Sequence, residues 1–329
     1  MKVLIAGATG ALGLPLVRAL LAGGHQVIGL TRTPDNARSL SALGAQPVVA
    51  DAMDRDGLLR AVDGLHADAV VHALTALKKT PLRHRDMYQT NALREVGTAN
   101  LLAAARAVDA RTFVAESMTM GYGYGDWGQQ VLTEDCPFAP PGHSQELERH
   151  LAGFRALERQ LFEATQAGWI EGISLRFGAF YGPASIRPII QMMRRRSLPL
   201  PDGGRAVMSW IYLEDAAAAV VAALAHGKPG QAYNIVDDEP VRVRDFFAQL
   251  AQQSHMPMPL SLPAWVMRLM APYGTDFFAT TMRVSNAKAI RELGWHPVVA
   301  PTYHQGIPRA LQALGQEGIT SGIRRDLEV

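Results

Sequence analysis

The chain has 329 residues, 48% hydrophobic and 19% charged, and its formal charge is +2. This composition is typical of a folded protein with a sizeable core and excludes global disorder. The only dense basic cluster, residues 194–196, is too small to indicate nucleic acid as the main partner. The single cysteine, Cys136, cannot form an internal disulfide, so we expect a cytoplasmic protein.

The first residues carry a positive charge and an apolar stretch, which are features of a signal peptide. Glycines and Arg18 interrupt the apolar stretch, so a signal peptide is not expected. The longest uninterrupted apolar run, residues 216–225, is far shorter than the ~20 residues that a membrane-spanning helix requires. The sequence therefore predicts no membrane span and no membrane partner.

In the first half of the chain, short runs rich in Val, Ile and Leu alternate with longer amphipathic stretches. This alternation predicts parallel strands joined by crossover helices. The predicted strands are residues 2–6, 26–31, 46–50, 69–73, 111–115 and 172–177. The predicted helices are residues 12–22, 35–43, 54–62, 92–107 and 145–167. The predicted fold class is therefore α/β, with a doubly wound parallel sheet.

The second half of the chain is less regular. Residues 121–143 are rich in Gly, Pro and Asp and are predicted to form a loop, and prolines break up residues 183–201. The elements predicted beyond that point are a helix over 214–226, a strand over 232–236, and helical patches at 243–253, 263–270, 287–293 and 303–314.

A glycine-rich turn directly follows the first predicted strand and leads into a helix. Glycine is needed in such a turn because the backbone bends tightly, approaches a pyrophosphate closely and packs the helix against the strand. The spacing is G-x-x-G-x-x-G, and its context predicts dinucleotide binding rather than a plain structural turn. The residues assigned to this site are Gly7, Thr9, Gly10, Ala11, Leu12 and Gly13.

The end of the second predicted strand indicates which dinucleotide binds. An acidic residue there would accept hydrogen bonds from the ribose of NAD, whereas a basic residue accommodates the 2′-phosphate of NADP. This chain has Thr31 and Arg32 at that point, so NADP(H) is favoured, unless Arg32 is merely solvated. Asp51, just after the third strand, could bind the adenine amino group or could cap a helix.

Seven segments match a known family in order along nearly the whole chain. They are GATGALG at 7–13, DA at 51–52, HALT at 72–75, GTANLL at 97–102, LRFGAFYGP at 175–183, WIYLED at 210–215 and YNI at 233–235. The chain thereby resembles the extended short-chain dehydrogenase/reductases, within the NAD(P)-dependent epimerase/dehydratase group. The resemblance implies a Rossmann domain over residues 1–178, to which the strand near 232–236 returns, and a smaller, mainly substrate-binding domain over residues 179–329.

The resemblance also implies further site residues. Those expected to contact the cofactor are Ala52, Ala73, Leu74, Thr75, Phe177 and Tyr181. Those expected to face a small-molecule substrate are Tyr124, Arg187, Met208, Trp210 and Tyr212, which would form a partly aromatic pocket. Residues 92–107 and 145–167 match the helices through which family members usually dimerise, so a homodimer is expected.

The active centre departs from the family pattern. In the family, a Ser or Thr after the fifth strand polarises a carbonyl, and a Tyr-x-x-x-Lys pair on the next helix moves the proton. Met118 stands at the usual Ser position, with Ser117 and Thr119 on either side, and either hydroxyl could serve. His150 and Phe154 stand at the Tyr and Lys positions, and no Tyr-x-x-x-Lys occurs between the fifth and sixth strands. The resemblance is therefore to the atypical branch of the family.

Two groups are candidates to replace the missing tyrosine. His150 could exchange a proton near neutral pH or could simply be a solvated helix residue. Tyr122 is the preferred alternative donor, although it could instead be a packing residue beneath the nicotinamide end. Glu116 could act as a base or could pair with an arginine. No metal site is expected, because the histidines lack ligand spacing and there is one cysteine.

The leading hypothesis is an NADP(H)-dependent oxidoreductase acting on a carbonyl or alcohol of a small sugar-like or aromatic metabolite. One alternative is a redox-neutral epimerase or dehydratase of the nucleotide-sugar type. Its two half-reactions both need efficient proton transfer, so the missing pair counts against it. The other alternative is a catalytically silent NADP-binding sensor. The sequence does not name the substrate, because the pocket residues lie on loops.

Overall fold

The computed structural model describes residues 1–77 and 79–326, with side chains through residue 316; residues 327–329 of the predicted second domain lie outside the described residues. Its strands are β1 (Lys2–Ala6), β2 (Gln26–Thr31), β3 (Gln46–Val49), β4 (Ala69–His72), β5 (Thr112–Met118), β6 (Asp126–Leu132), β7 (Glu171–Phe177), β8 (Ala179–Tyr181), β9 (Leu200–Pro201), β10 (Val207–Met208), β11 (Trp210–Tyr212), β12 (Gln231–Ile235), β13 (Val241–Arg242), β14 (Ser261–Leu262) and β15 (Thr281–Val284).

Its helices are α1 (Gly13–Ala22), α2 (Pro34–Ala42), α3 (Arg55–Val62), α4 (Tyr88–Ala92), α5 (Thr98–Ala107), α6 (Gln145–Gln166), α7 (Pro183–Arg194), α8 (Leu213–His226), α9 (Val243–Ser254), α10 (Ala264–Met270), α11 (Pro272–Ala279), α12 (Ala287–Leu293) and α13 (Tyr303–Asp326). Short 3₁₀ segments cover His84–Met87 and Thr119–Tyr122, and a π-helical segment, Leu93–Gly97, joins α4 to α5.

A seven-stranded parallel sheet forms the centre of the molecule, in the order β12-β7-β5-β4-β1-β2-β3. The strands are almost continuously apolar because helices cover both faces. One core contains Leu16 of α1 and Val220 of α8. The other contains Leu101 of α5 and Leu161 of α6. The predicted α/β Rossmann class is confirmed. Because the strand order reverses beside β1, the crevice at the carboxyl ends of β1 and β4 is the expected ligand position.

A further core, separate from the two on the faces of the sheet, consists of residues that follow β7 in the chain. Trp210 stacks on Phe246 with ring centroids 3.9 Å apart, and Tyr181 packs edge-on against both rings. Asp215, at the start of α8, accepts hydrogen bonds from the amides of Val298, Val299 and Ala300. These contacts fix the C-terminal segments beside the carboxyl edge of the sheet.

Three element predictions were wrong, and one helix was not predicted. Residues 121–143 contain β6, whose exposed polar residues gave no apolar alternation but which pairs with β15. The stretch broken by prolines contains α7, since Pro183 begins this helix and the helix also accommodates Pro188. The helix predicted from 92 already begins with α4 at Tyr88. Helix α11 was not predicted, although it carries residues of the site described below.

In the described part of the chain, no helix is both long and apolar enough to cross a membrane.

Candidate active site

The glycine turn after β1 is compact and leaves no room for side chains. Gly7 has φ +96°, and a Cβ there would lie 2.2 Å from the carbonyl oxygen of Ala73. A Cβ at Gly13 would lie 2.0 Å from the carbonyl oxygen of Gly7. No side chain caps the start of α1 at Leu12. The Leu14 amide is bonded to the Gly10 carbonyl and Pro15 has no amide proton, which leaves the Gly13 amide to face an anion. The turn therefore fits the pyrophosphate of a dinucleotide.

The predicted adenosine end lies at the carboxyl ends of β2 and β3. Thr31 is buried, and its hydroxyl has no hydrogen-bond partner among the described residues. Arg32 is exposed beside it. The Asp51 carboxylate accepts a hydrogen bond from the amide of Met53, and the Ala52 carbonyl accepts one from Asn100. Asp51 thus stabilises a local turn, and one of its oxygens is not used in that bond.

At the end of β5, the structure places the two candidate hydroxyls differently. Ser117 is fully buried, and its Oγ has no partner in the described part of the chain. Thr119 begins the 3₁₀ segment and lines a small cavity with Met208 and Phe277. Thr119 and Met208, a catalytic and a substrate candidate, therefore lie together. Glu116 lies near the Arg94 charge, and burial raises the pKa of its carboxyl to about 7.

Tyr122 is engaged in an internal hydrogen-bond network. Its hydroxyl accepts a hydrogen bond from Arg176 at 2.9 Å and donates one to Asn234 Oδ1 at 2.8 Å. Burial is the main reason that the pKa of this phenol is raised to about 12. The geometry is that of a structural hydroxyl between β7 and β12. The catalytic assignment of Tyr122 remains a prediction that this position does not favour.

His150 lies in a chain of side-chain contacts rather than on a solvated helix face. It is fully buried, with Nδ1 at 2.8 Å from Asn91 Nδ2 and Nε2 at 3.0 Å from His84 Nδ1. Arg94 Nη1 donates to Asn91 Oδ1 at 3.3 Å. At the other end of this series of contacts, His84 Nε2 lies 3.6 Å from Asp276 Oδ2.

Arg94 determines which groups donate and which accept in this series of hydrogen bonds, because a guanidinium can only donate hydrogen bonds. Asn91 must therefore accept with its oxygen and donate with its nitrogen to His150 Nδ1. The proton of His150 is then on Nε2, which donates to His84. Burial, His84 and Arg94 also lower the pKa of His150 to about 4. His150 is thus a neutral imidazole whose two nitrogens both have partners. Its predicted role as proton donor would require these hydrogen bonds to rearrange.

The lysine position is occupied by an apolar ring and covered by a cation from another helix. Phe154 is buried, and the Arg94 guanidinium lies 3.9 Å from the centroid of its ring. Next to them, the rings of Tyr124 and Tyr273 pack edge-on, with centroids 6.5 Å apart. The Tyr273 ring also packs edge-on against His150, with centroids 5.1 Å apart. A tyrosine and a cation are therefore present here, but from α11 and from the segment before α5.

The remaining predicted site residues lie in three different places. Ala73, Leu74 and Thr75 follow β4 directly below the glycine turn. The aromatic residues contribute to the cores: Phe177 to the core on the α1 and α8 side, and Tyr181, Trp210 and Tyr212 to the C-terminal core. Arg187 is exposed on α7. The arrangement that the sequence did not reveal consists of His84, Asn91, Arg94, Tyr273 and Asp276.

We found no group of three or more His, Cys, Asp or Glu side chains placed to hold a metal ion within the described part of the chain.

A histidine below the site makes stability depend on pH. His72 in β4 is fully buried, and burial lowers the pKa of its imidazole to about 4. Because the unfolded chain binds this proton near pH 6.5, acidification from pH 6.5 to 4 should lower the free energy of unfolding. Full loss of this contribution corresponds to about 3 kcal/mol. Urea unfolding of the wild type and His72→Asn across this range tests it, since the variant should show a shallower slope.

The exposed His226→Asn variant is the matched control and should keep the wild-type slope. A His72→Asn protein with the same pH slope as the wild type would contradict the argument.

Comparison with known proteins agrees with the fold. The family model described as "NAD dependent epimerase/dehydratase family" matches residues 3–236. The chain belongs to this family. The family is described as NAD dependent, in accord with the glycine turn and the crevice beside it.

Two curated relatives are reductases by name. The chain is 36% identical to the 3-diazoavenalumate denitrifying reductase of a Streptomyces species, over 94% of this chain and 100% of that protein. It is 26% identical to the 4-hydroxy-2-methyl-3-oxo-4-farnesyl-3,4-dihydroquinoline-1-oxide ketoreductase of Stigmatella aurantiaca, over 88% and 85%. Among solved structures, the UDP-glucose 4-epimerase of Thermotoga maritima superposes with a TM-score of 0.78 at 18% identity, over 97% and 100% of the two chains. The family model and the two reductases show an oxidoreductase of the epimerase/dehydratase family, and the solved structure shows the same fold.

Proposed function

We propose that the protein is an NADP(H)-dependent reductase of a small, partly aromatic molecule, with a carbonyl group as the default hydride acceptor. The observation that carries the proposal is the match to a reductase over 94% of the chain. The active centre supports it, because one-way hydride transfer needs one proton step whereas a redox-neutral cycle needs proton transfer in both half-reactions. The departure at His150 and Phe154 therefore favours the reductase over the epimerase or dehydratase, and the match to a reductase favours it over a silent sensor.

The bound cofactor would supply the hydride, and the protein would supply binding and orientation. Gly7 and Gly13 let the backbone approach the pyrophosphate, and the Gly13 amide at the start of α1 would bind one of its oxygens. Ala73 lies against this turn and helps to form the floor of the crevice. Thr119 and Met208 would border the substrate.

The preference for NADP(H) rests on Arg32. This side chain is exposed beside the end of β2, where the 2′-phosphate of NADP would lie, and no acidic residue stands at that position. We expect Arg32→Ala to weaken NADPH binding at least tenfold, or by about 1.4 kcal/mol, while NADH binding stays nearly constant. Titration followed by cofactor fluorescence and by thermal stabilisation measures both affinities.

Arg111→Ala is the matched control for charge. Arg111 is exposed just before β5, at the amino edge of the sheet opposite the cofactor crevice, and forms an ion pair with Glu171. This variant should retain wild-type affinity for NADPH. A wild-type protein that binds NADH more tightly than NADPH would overturn the NADP(H) assignment but not the reductase proposal. A protein that binds neither would overturn both.

A second candidate reaction is favoured by the 36% identical relative, which is named as a denitrifying reductase of a diazo compound. Hydride addition to the diazonium-bearing carbon of an aromatic ring forms a C–H bond, breaks the C–N bond and releases N₂ with its bonding electron pair. No alkoxide forms, so this reaction needs no proton from His150. The same enzyme preparation, supplied with NADPH, distinguishes the candidates: N₂ and the ring C–H product indicate denitrification, and an alcohol product indicates carbonyl reduction.

The homodimer through residues 92–107 and 145–167 and the cytoplasmic location remain predictions.

A further inference from the structure

We propose that Tyr273 is the proton donor of the reductase and that Arg94 is the cation that supports it, so that together they replace the missing Tyr-x-x-x-Lys pair. This inference rests on the proposed function, for the case in which the hydride acceptor is a carbonyl. It assigns a catalytic role to two residues that lie outside the helix on which the family places the pair.

Arg94 occupies the space next to the former lysine position. Its side chain is 4% exposed, and its guanidinium covers the Phe154 ring at 3.9 Å. Its hydrogen bond to Asn91 fixes the orientation of the cation. Arg94 lies in the π-helical segment, and such segments often occur at functional sites. A buried guanidinium loses hydration energy, and no carboxylate is bonded to it in the described part of the chain, so a functional reason for the charge is expected.

Tyr273 places a phenol against the residue that replaced the family's tyrosine. Its ring lies 5.1 Å from the His150 ring and 6.0 Å from the His84 ring. The Tyr124 ring packs edge-on against the Tyr273 ring, with ring centroids 6.5 Å apart. A carbonyl oxygen of the substrate at this point would take the phenolic proton of Tyr273.

The charges around Tyr273 favour proton release relative to a phenol that is only buried. Burial raises the pKa of Tyr273, whereas the neighbouring Tyr124 and the Arg94 charge lower it. The other titratable groups that face this cluster are Glu116, His150, His84 and Asp276. The arrangement has the electrostatic effect of the lysine in the usual pair, since a cation beside a phenol favours the phenolate.

The proton moves from Tyr273 to the carbonyl oxygen of the substrate. When the hydride bonds to the carbonyl carbon, the π electron pair moves to oxygen, and this oxygen takes the Tyr273 proton as the phenolic O–H bond breaks. The Tyr273 phenolate is then stabilised by the Arg94 charge, and it regains a proton from water. The products are an alcohol, the oxidised nicotinamide and a restored tyrosine.

The test compares Tyr273→Phe and Arg94→Met with matched surface variants. Tyr88 and Arg149 form a similar pair on the surface, where the Arg149 guanidinium lies 4.4 Å from the Tyr88 ring, so Tyr88→Phe and Arg149→Met are the controls. A panel of substituted benzaldehydes with NADPH provides the activity probe. We expect kcat to fall about 100-fold or more in Tyr273→Phe, with NADPH affinity nearly unchanged, and both controls to resemble the wild type.

Restoring the lysine gives a readout that a purely structural role would not change. Arg94→Met should lower kcat and move the pH profile to higher pH, and Phe154→Lys in the Arg94→Met background should recover about tenfold of the loss. Arg94→Lys keeps the charge and should retain more activity than Arg94→Met. Independently of any substrate, NMR of ¹³C-labelled tyrosine should show the Tyr273 titration midpoint shifted upward in Arg94→Met by about one pH unit.

Several outcomes would overturn the proposal. One is a Tyr273→Phe enzyme that reduces the same carbonyl at the wild-type rate. If the wild type instead releases N₂ from a diazonium and Tyr273→Phe does so at the same rate, the result supports the second candidate reaction. Another is a folded Arg94→Lys that loses as much activity as Arg94→Met. An unchanged Tyr273 titration in Arg94→Met would also contradict it. Failure of the wild type to bind NADPH or NADH would instead contradict the proposed function.

Discussion

Gly7→Ala should abolish measurable dinucleotide binding, with an affinity loss of at least about 100-fold, or roughly 2.7 kcal/mol. Two independent effects cause this loss. The residue has φ +96°, which costs an L-amino acid about 1–2 kcal/mol. The new Cβ would also lie 2.2 Å from the Ala73 carbonyl oxygen, so the turn must move away from the floor of the crevice. Fluorescence titration with NADPH and a thermal unfolding curve of the apo protein measure the two consequences.

Gly24→Ala separates backbone strain from the close contact. Gly24 also has a positive φ, +75°, but a Cβ there would meet no atom within 4 Å. This variant should lose only the strain energy and should bind the dinucleotide as the wild type does. If Gly7→Ala bound the dinucleotide as tightly as Gly24→Ala, the glycine turn would not be the pyrophosphate site.

Arg176→Met should lower the free energy of unfolding by about 3–5 kcal/mol, because it leaves a buried carboxylate without its counter-ion. Arg176 bonds both oxygens of Glu158, at 2.9 and 2.7 Å, and the two side chains are only 6% and 7% exposed. The same guanidinium donates to the Tyr122 hydroxyl. The substitution therefore removes the partners of two buried polar groups. Urea unfolding followed by circular dichroism gives the change.

Arg111→Ala is the surface counterpart of this variant. Arg111 pairs with Glu171 at 2.8 Å, but its side chain is 82% exposed, so the expected loss is below about 1 kcal/mol. The double variant Glu158→Leu/Arg176→Met should be less destabilised than the sum of its single variants, because no unpaired charge remains. Strict additivity would show that the two side chains act independently and would contradict this account.

The sheet could be predicted from the sequence because its strands are short and apolar and occur between amphipathic helices. Buried parallel strands such as β1 and β4 show this pattern directly. Strand β6 lacked it, since most of its residues are exposed and its pairing with β15 depends on a segment far along the chain. Helix α7 was missed for a different reason. Its prolines were expected to break regular structure, but Pro183 occupies the first turn, where its missing amide costs little.

The dinucleotide-binding turn could also be predicted from the sequence, because its chemistry depends on local backbone geometry. The groups around His150 were not, since they come from separate segments: His84 before α4, Arg94 before α5 and Tyr273 in α11. No spacing in the sequence connects them. The only available signal was negative, namely Phe154 at the lysine position. Such a substitution indicates that the charge is supplied from elsewhere or is not needed, and only the fold shows that Arg94 covers the ring.

The position of β12 has a consequence for any attempt to isolate the cofactor-binding half. This strand comes after α8 in the chain but pairs with β7 along residues 231–235. A fragment that ends at residue 178 would leave the β7 backbone amides and carbonyls without their neighbour, as a long, apolar edge. Such edges promote pairing between molecules, so this fragment should aggregate. A fragment that includes β12 must also contain the intervening segments.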